Sequence, residues 1–244
     1  MPEKFSASQA KKFMNCHAAA NLDIAIPNWE PPIEDPDADT AANRGTRMHE
    51  LFAGIMSLSI SDTERMVQAL DYVNGVRARR RFKSLIEVPQ RADWLASEPW
   101  TTADLVLYLQ DEIHVLDLKT GRIFVDVKDN EQMLFYAATY LKFAPRAKEV
   151  HMHIVQPWAD NIAEEVVSVD DLAAWMNEAA THDLDILDGD TTFMPGDHCL
   201  FCPANPHART AKGSPLCPAM MQVLYPSPEA DIDAVMRIAE GEEG

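Results

Sequence analysis

The chain has 244 residues, of which 47% are hydrophobic and 25% are charged. This composition is that of an ordinary globular protein and excludes full disorder, and the length is typical of one domain with an appended lobe. The longest apolar runs are far shorter than the roughly 20 residues of a membrane helix, and the N-terminal residues contain no apolar signal core. We therefore expect a cytoplasmic protein without a membrane span (host cytoplasm, if it is viral), whose four cysteines are metal ligands or core residues before they are disulfides.

The net charge is -18, from 21 basic and 39 acidic residues. Such a charge argues against a non-specific nucleic-acid coat protein, which would be basic. One short basic cluster nevertheless stands out within seven positions: Arg77, Arg79, Arg80, Arg81 and Lys83. We predict that it contacts DNA phosphates; the alternative is a solvated helix end.

The first third of the chain is predicted to be helical. Residues 6–20 form a helix with Ser6 or Ser8 as the N-cap, 27–39 form a loop rich in proline and acids, and helices follow at 40–58 and 61–81.

After residue 81 the sequence pattern changes from helical to that of short strands. The segments 82–90, 101–110 and 112–120 are apolar or alternating runs separated by polar turns, and the last two are close enough to form a hairpin. The segment 123–127 extends or bends this sheet.

A helix, a strand and a second helix complete the predicted core, at 130–143, 149–157 and 168–187, with Asp129 or Asn130 as the cap of the first helix. This order indicates an α/β or α+β fold, in which a mixed central sheet is flanked by helices. From residue 189 onward Pro, Gly, His and Cys dominate, and little regular structure is expected.

Four polar residues interrupt the predicted strands: Glu87, Asp104, Asp117 and Lys119. Because side chains alternate along a strand, Asp117 and Lys119 project from the same face, within reach of Asp104 on the neighbouring hairpin strand. Two carboxylates and a lysine on a buried face are costly unless a hard divalent cation such as Mg²⁺ offsets the cost. The alternative is a set of edge-strand salt bridges and, for Glu87, a strand-end residue that faces solvent.

This pattern resembles a known nuclease signature. Asp104 followed by Asp117-x-Lys119 resembles the PD-(D/E)XK motif, and Gln132 and Tyr136, four apart on one helix face, resemble the QxxxY motif of its RecB-type and Cas4-like branch. The resemblance extends over nearly the whole chain. It is nearest to the phage and prophage RecB-like exonucleases that carry an iron–sulfur cluster.

The resemblance also implies a metal site. Residues 45–50, GTRMHE, are similar to the GTxxH element of that branch, whose histidine approaches the metal. By resemblance, His49, Asp104 and Asp117 would bind Mg²⁺ or Mn²⁺, with the carbonyl of Leu118 as a further ligand.

The remaining site residues receive their roles in the same way. Lys119 would be the catalytic lysine, while Gln132 and Tyr136 would orient it and contact the DNA backbone. Glu87 would support the site or bind a second ion.

The cysteines form a pattern of one plus three: Cys16, Cys199, Cys202 and Cys217. Four thiolates suit either Zn²⁺ or a [4Fe–4S] cluster. The layout resembles the iron–sulfur staple of AddB-type and Cas4-like nucleases, which favours the cluster. His207, in the long gap before Cys217, keeps a Cys₃His zinc site as the alternative.

Taken together, these patterns predict one nuclease domain over 1–244. Its catalytic core is 40–188, its cluster-binding segments are 1–26 and 189–225, and its acidic tail is 226–244. The predicted function is a metal-dependent DNA exonuclease of recombination, repair or phage DNA processing. The alternatives are a structure-specific endonuclease or nickase of the same fold and a non-enzymatic acidic protein that binds a partner. DNA is the expected partner; the sequence has no Walker A motif, so any helicase partner would be a separate chain.

Overall fold

The computed structural model describes residues 5–29, 60–205 and 217–224. The predicted helix at 40–58 with His49, the loop beyond residue 29, His207 and the acidic tail lie outside the described residues. The described chain forms two compact units: one contains residues 5–11 and 60–184, and the other contains 12–29, 185–205 and 217–224.

The first unit is built on a five-stranded sheet in the order β1-β4-β5-β6-β7, beside a two-stranded sheet of β2 and β3. Only β5 and β6 are parallel; the other neighbours in the described sheet are antiparallel. The strands are β1 (Lys83–Ile86), β2 (Gln90–Arg91), β3 (Trp100–Thr101), β4 (Leu105–Tyr108), β5 (Ile113–Leu118), β6 (Glu149–Gln156) and β7 (Asn161–Ser168). The α-helices of the described chain are α1 (Ala10–Asn15), α2 (His17–Ala20), α3 (Leu22–Ala25), α4 (Ile60–Arg79), α5 (Glu131–Tyr140), α6 (Val169–Leu187) and α7 (Pro218–Leu224).

The predicted mixed sheet with flanking helices is confirmed. Strands β4 and β5 form the hairpin that the short turn between them predicts, and Leu105 pairs with Leu116. Asn130 caps α5, because its side-chain oxygen accepts the N–H groups of Gln132 and Met133.

Helix α4 covers one face of the sheet. Its apolar residues pack against Leu116, Leu118 and their neighbours in a buried cluster that includes Met66, Ala69, Val73, Val76, Leu105, Leu107 and Val155. Since side chains alternate along β5, Asp117 points to the opposite face, where it contacts Gln132 of α5. The two faces of β5 therefore carry different chemistry.

Three elements differ from the sequence prediction. The helix expected at 6–20 is broken at Cys16, whose backbone is extended (φ -160°, ψ 102°). The segment 123–127 is not a strand, because side chains of Gln156 and Asn161 take its hydrogen bonds. The whole of β7 was not predicted, since the adjacent Glu164 and Glu165 interrupt the alternation that signals a strand.

In the described ranges, no helix combines the length and the apolar character needed to cross a membrane.

Candidate functional site

Asp104 lies at the end of β5 although it belongs to the segment before β4. Its Oδ2 accepts the backbone N–H of Leu118 at 2.6 Å. Both Asp104 and Asp117 are buried, at 5% and 2% exposure. The antiparallel hairpin therefore brings the two predicted carboxylates to the same strand end.

Gln132 connects the other predicted residues. The Lys119 ammonium lies 3.0 Å from Asp117 Oδ2 and donates to Gln132 Oε1 at 2.8 Å. The Gln132 amide donates to Asp117 Oδ1 at 3.2 Å and to Tyr136 Oη at 3.0 Å. The structure thus brings Asp104, Asp117, Lys119, Gln132 and Tyr136 together, within the first unit.

Tyr136 supplies the hydroxyl of this group and is buried. Burial raises the pKa of Tyr136 well above its usual range, and the charge of Asp117 raises it further. The phenol is therefore protonated at neutral pH, and it can donate a hydrogen bond but cannot act as a base.

The donor set fits a hard divalent cation. Asp117 Oδ2 is buried and forms no hydrogen bond among the described residues, and its close contact is the ammonium of Lys119. Carboxylate oxygens are the ligands that Mg²⁺ and Mn²⁺ prefer. Asp104, Asp117 and the backbone of Leu118 meet here, whereas the predicted ligand His49 lies outside the described residues.

Glu87 lies beside Asp104. Its N–H donates to the carbonyl of Asp104 at 3.2 Å, and its backbone adopts a left-handed conformation with φ 49°. Such a conformation costs about 1–3 kcal/mol for a residue other than glycine and is common at functional sites. The backbone of Glu87 is thus held next to that of Asp104.

Sequence reasoning missed Tyr140, which joins both segments that carry these acids. Its hydroxyl accepts the N–H of Ala103 at 3.1 Å and donates to the carbonyl of Val88 at 2.7 Å. The available signal was its position four residues after Tyr136, on the same face of α5. Tyr140 therefore positions the residues next to Asp104 and Glu87.

The basic cluster is not brought to the carboxylates. Its five side chains are exposed. Arg80 pairs with Asp111 and Glu112, which precede β5, whereas Asp117 lies near the other end of that strand. At about 3.3 Å per residue, the five steps from Glu112 to Asp117 span roughly 17 Å. Arg79 is also engaged, at 3.8 Å from Glu164.

A different exposed segment leaves the strand end that carries Lys119. Between β5 and α5, the side chains of Arg122, Ile123, Phe124 and Lys128 are exposed, with Ile123 at 64% and Phe124 at 63%. Gln156 anchors this segment by donating to the carbonyls of Gly121 and Ile123 at 2.9 and 2.7 Å. Two apolar and two basic side chains are thus presented to solvent next to the candidate site, along with the exposed carboxylates of Asp126 and Asp129.

All four cysteines belong to the second unit and line one cavity with mainly apolar walls, among them Leu22, Phe193 and Met220. Each cysteine is buried, and each is free of disulfide bonds. The N-terminal and C-terminal parts of this unit are joined by hydrogen bonds, since the Asn21 amide donates to the carbonyls of Ile186 and Asp190 at 3.0 and 2.9 Å.

The thiols have few polar contacts. Cys16 Sγ lies 3.8 Å from the carbonyl of Thr192, and Cys199 Sγ accepts the N–H of Gly196 at 3.4 Å. Burial raises the pKa of Cys199 and of Cys202. Buried His198, which the sequence analysis did not single out, lies with Nε2 3.6 Å from Cys199 Sγ. Four thiols around a buried apolar cavity fit a thiolate-bound metal or cluster.

Several solved structures are similar to this chain. An alkaline exonuclease from Laribacter hongkongensis is 10% identical with a TM-score of 0.38, over 76% of this chain and 89% of that chain. A protein from Eubacterium rectale, described as a candidate exonuclease, is 14% identical with a TM-score of 0.45, over 92% and 94%. A protein named SSO0001 is 12% identical with a TM-score of 0.42, over 83% and 84%.

The sequence itself matches one family over more than half of its length. Residues 61–226 match the family described as "Protein of unknown function (DUF2800)". This range contains α4 except its first residue, the whole central sheet and three of the four cysteines. It also contains the carboxylate site, which consists of Asp104, Asp117, Lys119, Gln132 and Tyr136. The chain therefore belongs to the DUF2800 family.

Proposed function

We propose that this protein is a nuclease that hydrolyses DNA phosphodiester bonds with Mg²⁺ or Mn²⁺. The observation that carries the proposal is the convergence of Asp104, Asp117 and Lys119 at one strand end, with the Lys119 ammonium 3.0 Å from Asp117. A lysine among buried acids has little use in a purely acidic binding surface. It is useful where negative charge develops during a reaction.

Each residue has a chemical task in this proposal. Asp104 and Asp117 would hold the cation, with the Leu118 carbonyl and His49 as further ligands. The bound cation would neutralise phosphate charge and activate water. Lys119 positions the attacking water and stabilises the charge that develops on the phosphate oxygens.

Gln132 and Tyr136 are positioning residues for the lysine. The Gln132 carbonyl accepts from the ammonium while its amide group donates to Asp117, so one side chain fixes the spacing of the other two. Tyr136 receives the second hydrogen of that amide. Glu87 supports Asp104 from the adjoining backbone.

We further propose that the segment with Arg122, Ile123, Phe124 and Lys128 binds the DNA next to the scissile phosphate. Its basic side chains match phosphates, and an exposed aromatic ring provides a face on which a base can stack. The cluster of Arg77, Arg79, Arg80, Arg81 and Lys83 would contact phosphates farther along the substrate, since it lies at the far end of β5.

An exonuclease is the favoured activity, in recombination, repair or phage DNA processing, by resemblance to RecB-like enzymes. The alternatives are an endonuclease or nickase of the same fold and a non-enzymatic acidic partner-binding protein. Residues 1–244 would form one cytoplasmic nuclease domain with its core at 40–188 and an acidic tail at 226–244. Any helicase partner would be a separate chain.

We propose that Cys16, Cys199, Cys202 and Cys217 bind a structural [4Fe–4S] cluster, through the segments 1–26 and 189–225. The layout of one N-terminal and three C-terminal cysteines, by its resemblance to the iron–sulfur staple of AddB-type and Cas4-like nucleases, favours iron–sulfur over the alternative of structural Zn²⁺.

The decisive experiment is digestion of end-labelled linear DNA, single-stranded and duplex, by anaerobically purified protein with Mg²⁺ or Mn²⁺. We expect mononucleotides or short products released from the ends, no cleavage in EDTA, and no cleavage by Asp117→Asn. Cleavage of a closed circular plasmid would instead support the endonuclease. Absence of cleavage with both metals, by protein that is folded and carries its cysteine-bound cofactor, would support the partner-binding alternative.

A further inference from the structure

A second polar cluster lies on the face of the sheet that α4 covers. Leu116 and Leu118 of β5 lie on the same face. His114 and His153 are fully buried, and one ligand atom from each of His114, His153 and Glu164 lies within 4.8 Å of the other two. Strands β5, β6 and β7 supply one residue each, and the register places His153 directly opposite Glu164. This cluster is separate from the carboxylate site, since Asp117 points to the other face.

The two imidazole rings face each other through one nitrogen each. His114 Nδ1 lies 2.9 Å from His153 Nε2. The outer nitrogen of each ring is held by an oxygen: His114 Nε2 lies 2.9 Å from Glu112 Oε1, and His153 Nδ1 lies 2.9 Å from Tyr72 Oη. Metal-binding histidines have this arrangement, in which an oxygen holds the outer nitrogen and aims the inner one at the ion.

We propose that His114, His153 and Glu164 form a binding site for a divalent cation of the Zn²⁺ type. Two imidazole nitrogens and one carboxylate oxygen are a known three-residue zinc set, with a solvent molecule as the fourth ligand. With bonds of 2.0–2.1 Å, tetrahedral geometry sets the two nitrogens about 3.3 Å apart, so the nitrogens need to separate by a few tenths of an ångström and each ring needs to turn until its lone pair points at the ion. Imidazole ligands favour zinc and its neighbours over Mg²⁺, so the two sites would select different ions.

Binding also requires a change of hydrogen position. Metals bind the neutral form of imidazole, here through the nitrogen of each ring that faces the other ring. The cation takes the place of the hydrogen between the rings. If that hydrogen is on His153 Nε2, it leaves as Nδ1 gains one, and Nδ1–H then donates to the Tyr72 oxygen.

Glu164 is the point where the cluster meets solvent, since its side chain is 27% exposed. Its Oε1 accepts from His151 Nδ1 at 2.7 Å, and its Oε2 lies 3.8 Å from the half-exposed guanidinium of Arg79. A bound dication repels Arg79, which can turn into solvent. The site would cross-link three strands and, through Tyr72, tie α4 to the sheet.

The test is a Zn²⁺ titration monitored by ¹H–¹⁵N correlation spectra of the histidine rings. The protein used already carries the metal or cluster that its four cysteines bind. We expect one equivalent of Zn²⁺ to shift His114 Nδ1 and His153 Nε2, and the melting temperature to rise. Signals that stay in place for both rings, while zinc binds elsewhere, would overturn the proposal.

Three variants and one control sharpen this test. His153→Gln should abolish the site, and Glu164→Gln, which keeps both imidazoles and alters a partly exposed side chain, should weaken Zn²⁺ binding at least tenfold. Arg79→Gln should tighten binding several-fold, because it removes a repelling charge; a merely structural role for Glu164 predicts no such gain. His182→Gln on α6 is the control. Unchanged affinity in Glu164→Gln, or weaker affinity in Arg79→Gln, contradicts the proposal.

Discussion

In the carboxylate site the polar side chains hold one another, whereas in the cysteine cavity they hardly touch. Lys119, Gln132 and Asp117 are connected by contacts of 2.8–3.2 Å. The contacts recorded for the thiols are longer, such as 3.8 Å from Cys16 to a carbonyl oxygen, and the cavity walls are mainly apolar.

The difference lies in what each site needs from its ligand. The side chains of the carboxylate site are oriented before any substrate or ion binds. A bound ion therefore contributes to the reaction and is not needed to hold these side chains in place. The cysteine cavity contains buried thiols in apolar surroundings, so the bound metal or cluster would itself supply much of the cohesion of the second unit. Substitutions should therefore affect activity in one region and stability in the other.

The largest expected effect is that of Asp117→Asn on cleavage. Loss of the buried carboxylate removes cation binding and leaves Lys119 without its partner, so the rate should fall by roughly a thousand-fold or more, measured on end-labelled DNA. Asp93→Asn, an exposed aspartate of the same unit, is the matched control and should cleave normally. The melting temperature of Asp117→Asn should change little, because the asparagine keeps the shape of the side chain and an oxygen that accepts from Gln132, and because Lys119 is partly exposed. Near-normal cleavage by this variant would remove the basis of the proposed mechanism.

Cys199→Ser should produce the opposite pattern. Bound iron, measured by absorption and metal analysis, should be lost, and the melting temperature should fall by roughly 10 °C if about 3–4 kcal/mol of stability disappears, at 2–4 °C per kcal/mol. Asp117→Asn is the control and should retain the iron. If the wild-type protein is colourless and active and carries one zinc ion, the cysteines bind zinc instead of an iron–sulfur cluster. If it is fully stable without any metal, both the cluster and the zinc assignment are contradicted.

Tyr140→Phe should affect stability and activity together. Without the hydroxyl, the buried N–H of Ala103 loses its acceptor, which costs about 1–3 kcal/mol in the free energy of unfolding. Since Ala103 precedes Asp104, we also expect kcat to fall about tenfold, in line with a small displacement of a catalytic group. Tyr108→Phe on β4 is the control. A change in urea-unfolding free energy with an unchanged kcat would limit Tyr140 to a structural role.

Phe124→Ala should weaken substrate binding while leaving the chemical step intact. Stacking of one base on an aromatic ring contributes about 1–3 kcal/mol, so KM for DNA should rise at least five-fold at constant kcat. Leu184→Ala, which removes another exposed apolar side chain at 53% exposure, should leave KM unchanged. If both variants behave alike, the segment does not contact DNA.

The smallest effect concerns acid stability of the second unit. Hydrogen bonds from Thr192 and from His17, the latter at 2.5 Å, lower the pKa of Asp190 to about 2. The folded state thus favours the carboxylate, so its stabilisation is present above pH of about 4 and is lost as the pH falls toward 2. Asp190→Asn should show a flatter loss of stability over that window in urea melts at several pH values. An identical pH profile would contradict this assignment.

Local patterns in the sequence were enough to find much of the carboxylate site. Alternation along β5 put Asp117 and Lys119 on one side, the short turn predicted the hairpin that brings Asp104, and helical spacing put Gln132 and Tyr136 on one face. These relations depend only on the geometry of one strand, one turn and one helix. The same local reasoning could not locate the basic cluster relative to the site, because that depends on where α4 ends against the sheet.

The sequence alone predicts most of the element types, the mixed sheet with flanking helices, a cap at Asp129 or Asn130 and the carboxylate–lysine motif, since each is encoded within a few consecutive residues. Only the tertiary structure decided that Tyr140 supports two separate segments, that four cysteines share one cavity, and that His114, His153 and Glu164 meet across three strands. Those contacts join residues that are far apart in the chain. They depend on strand order and register, which the burial of whole faces sets and no short sequence pattern records.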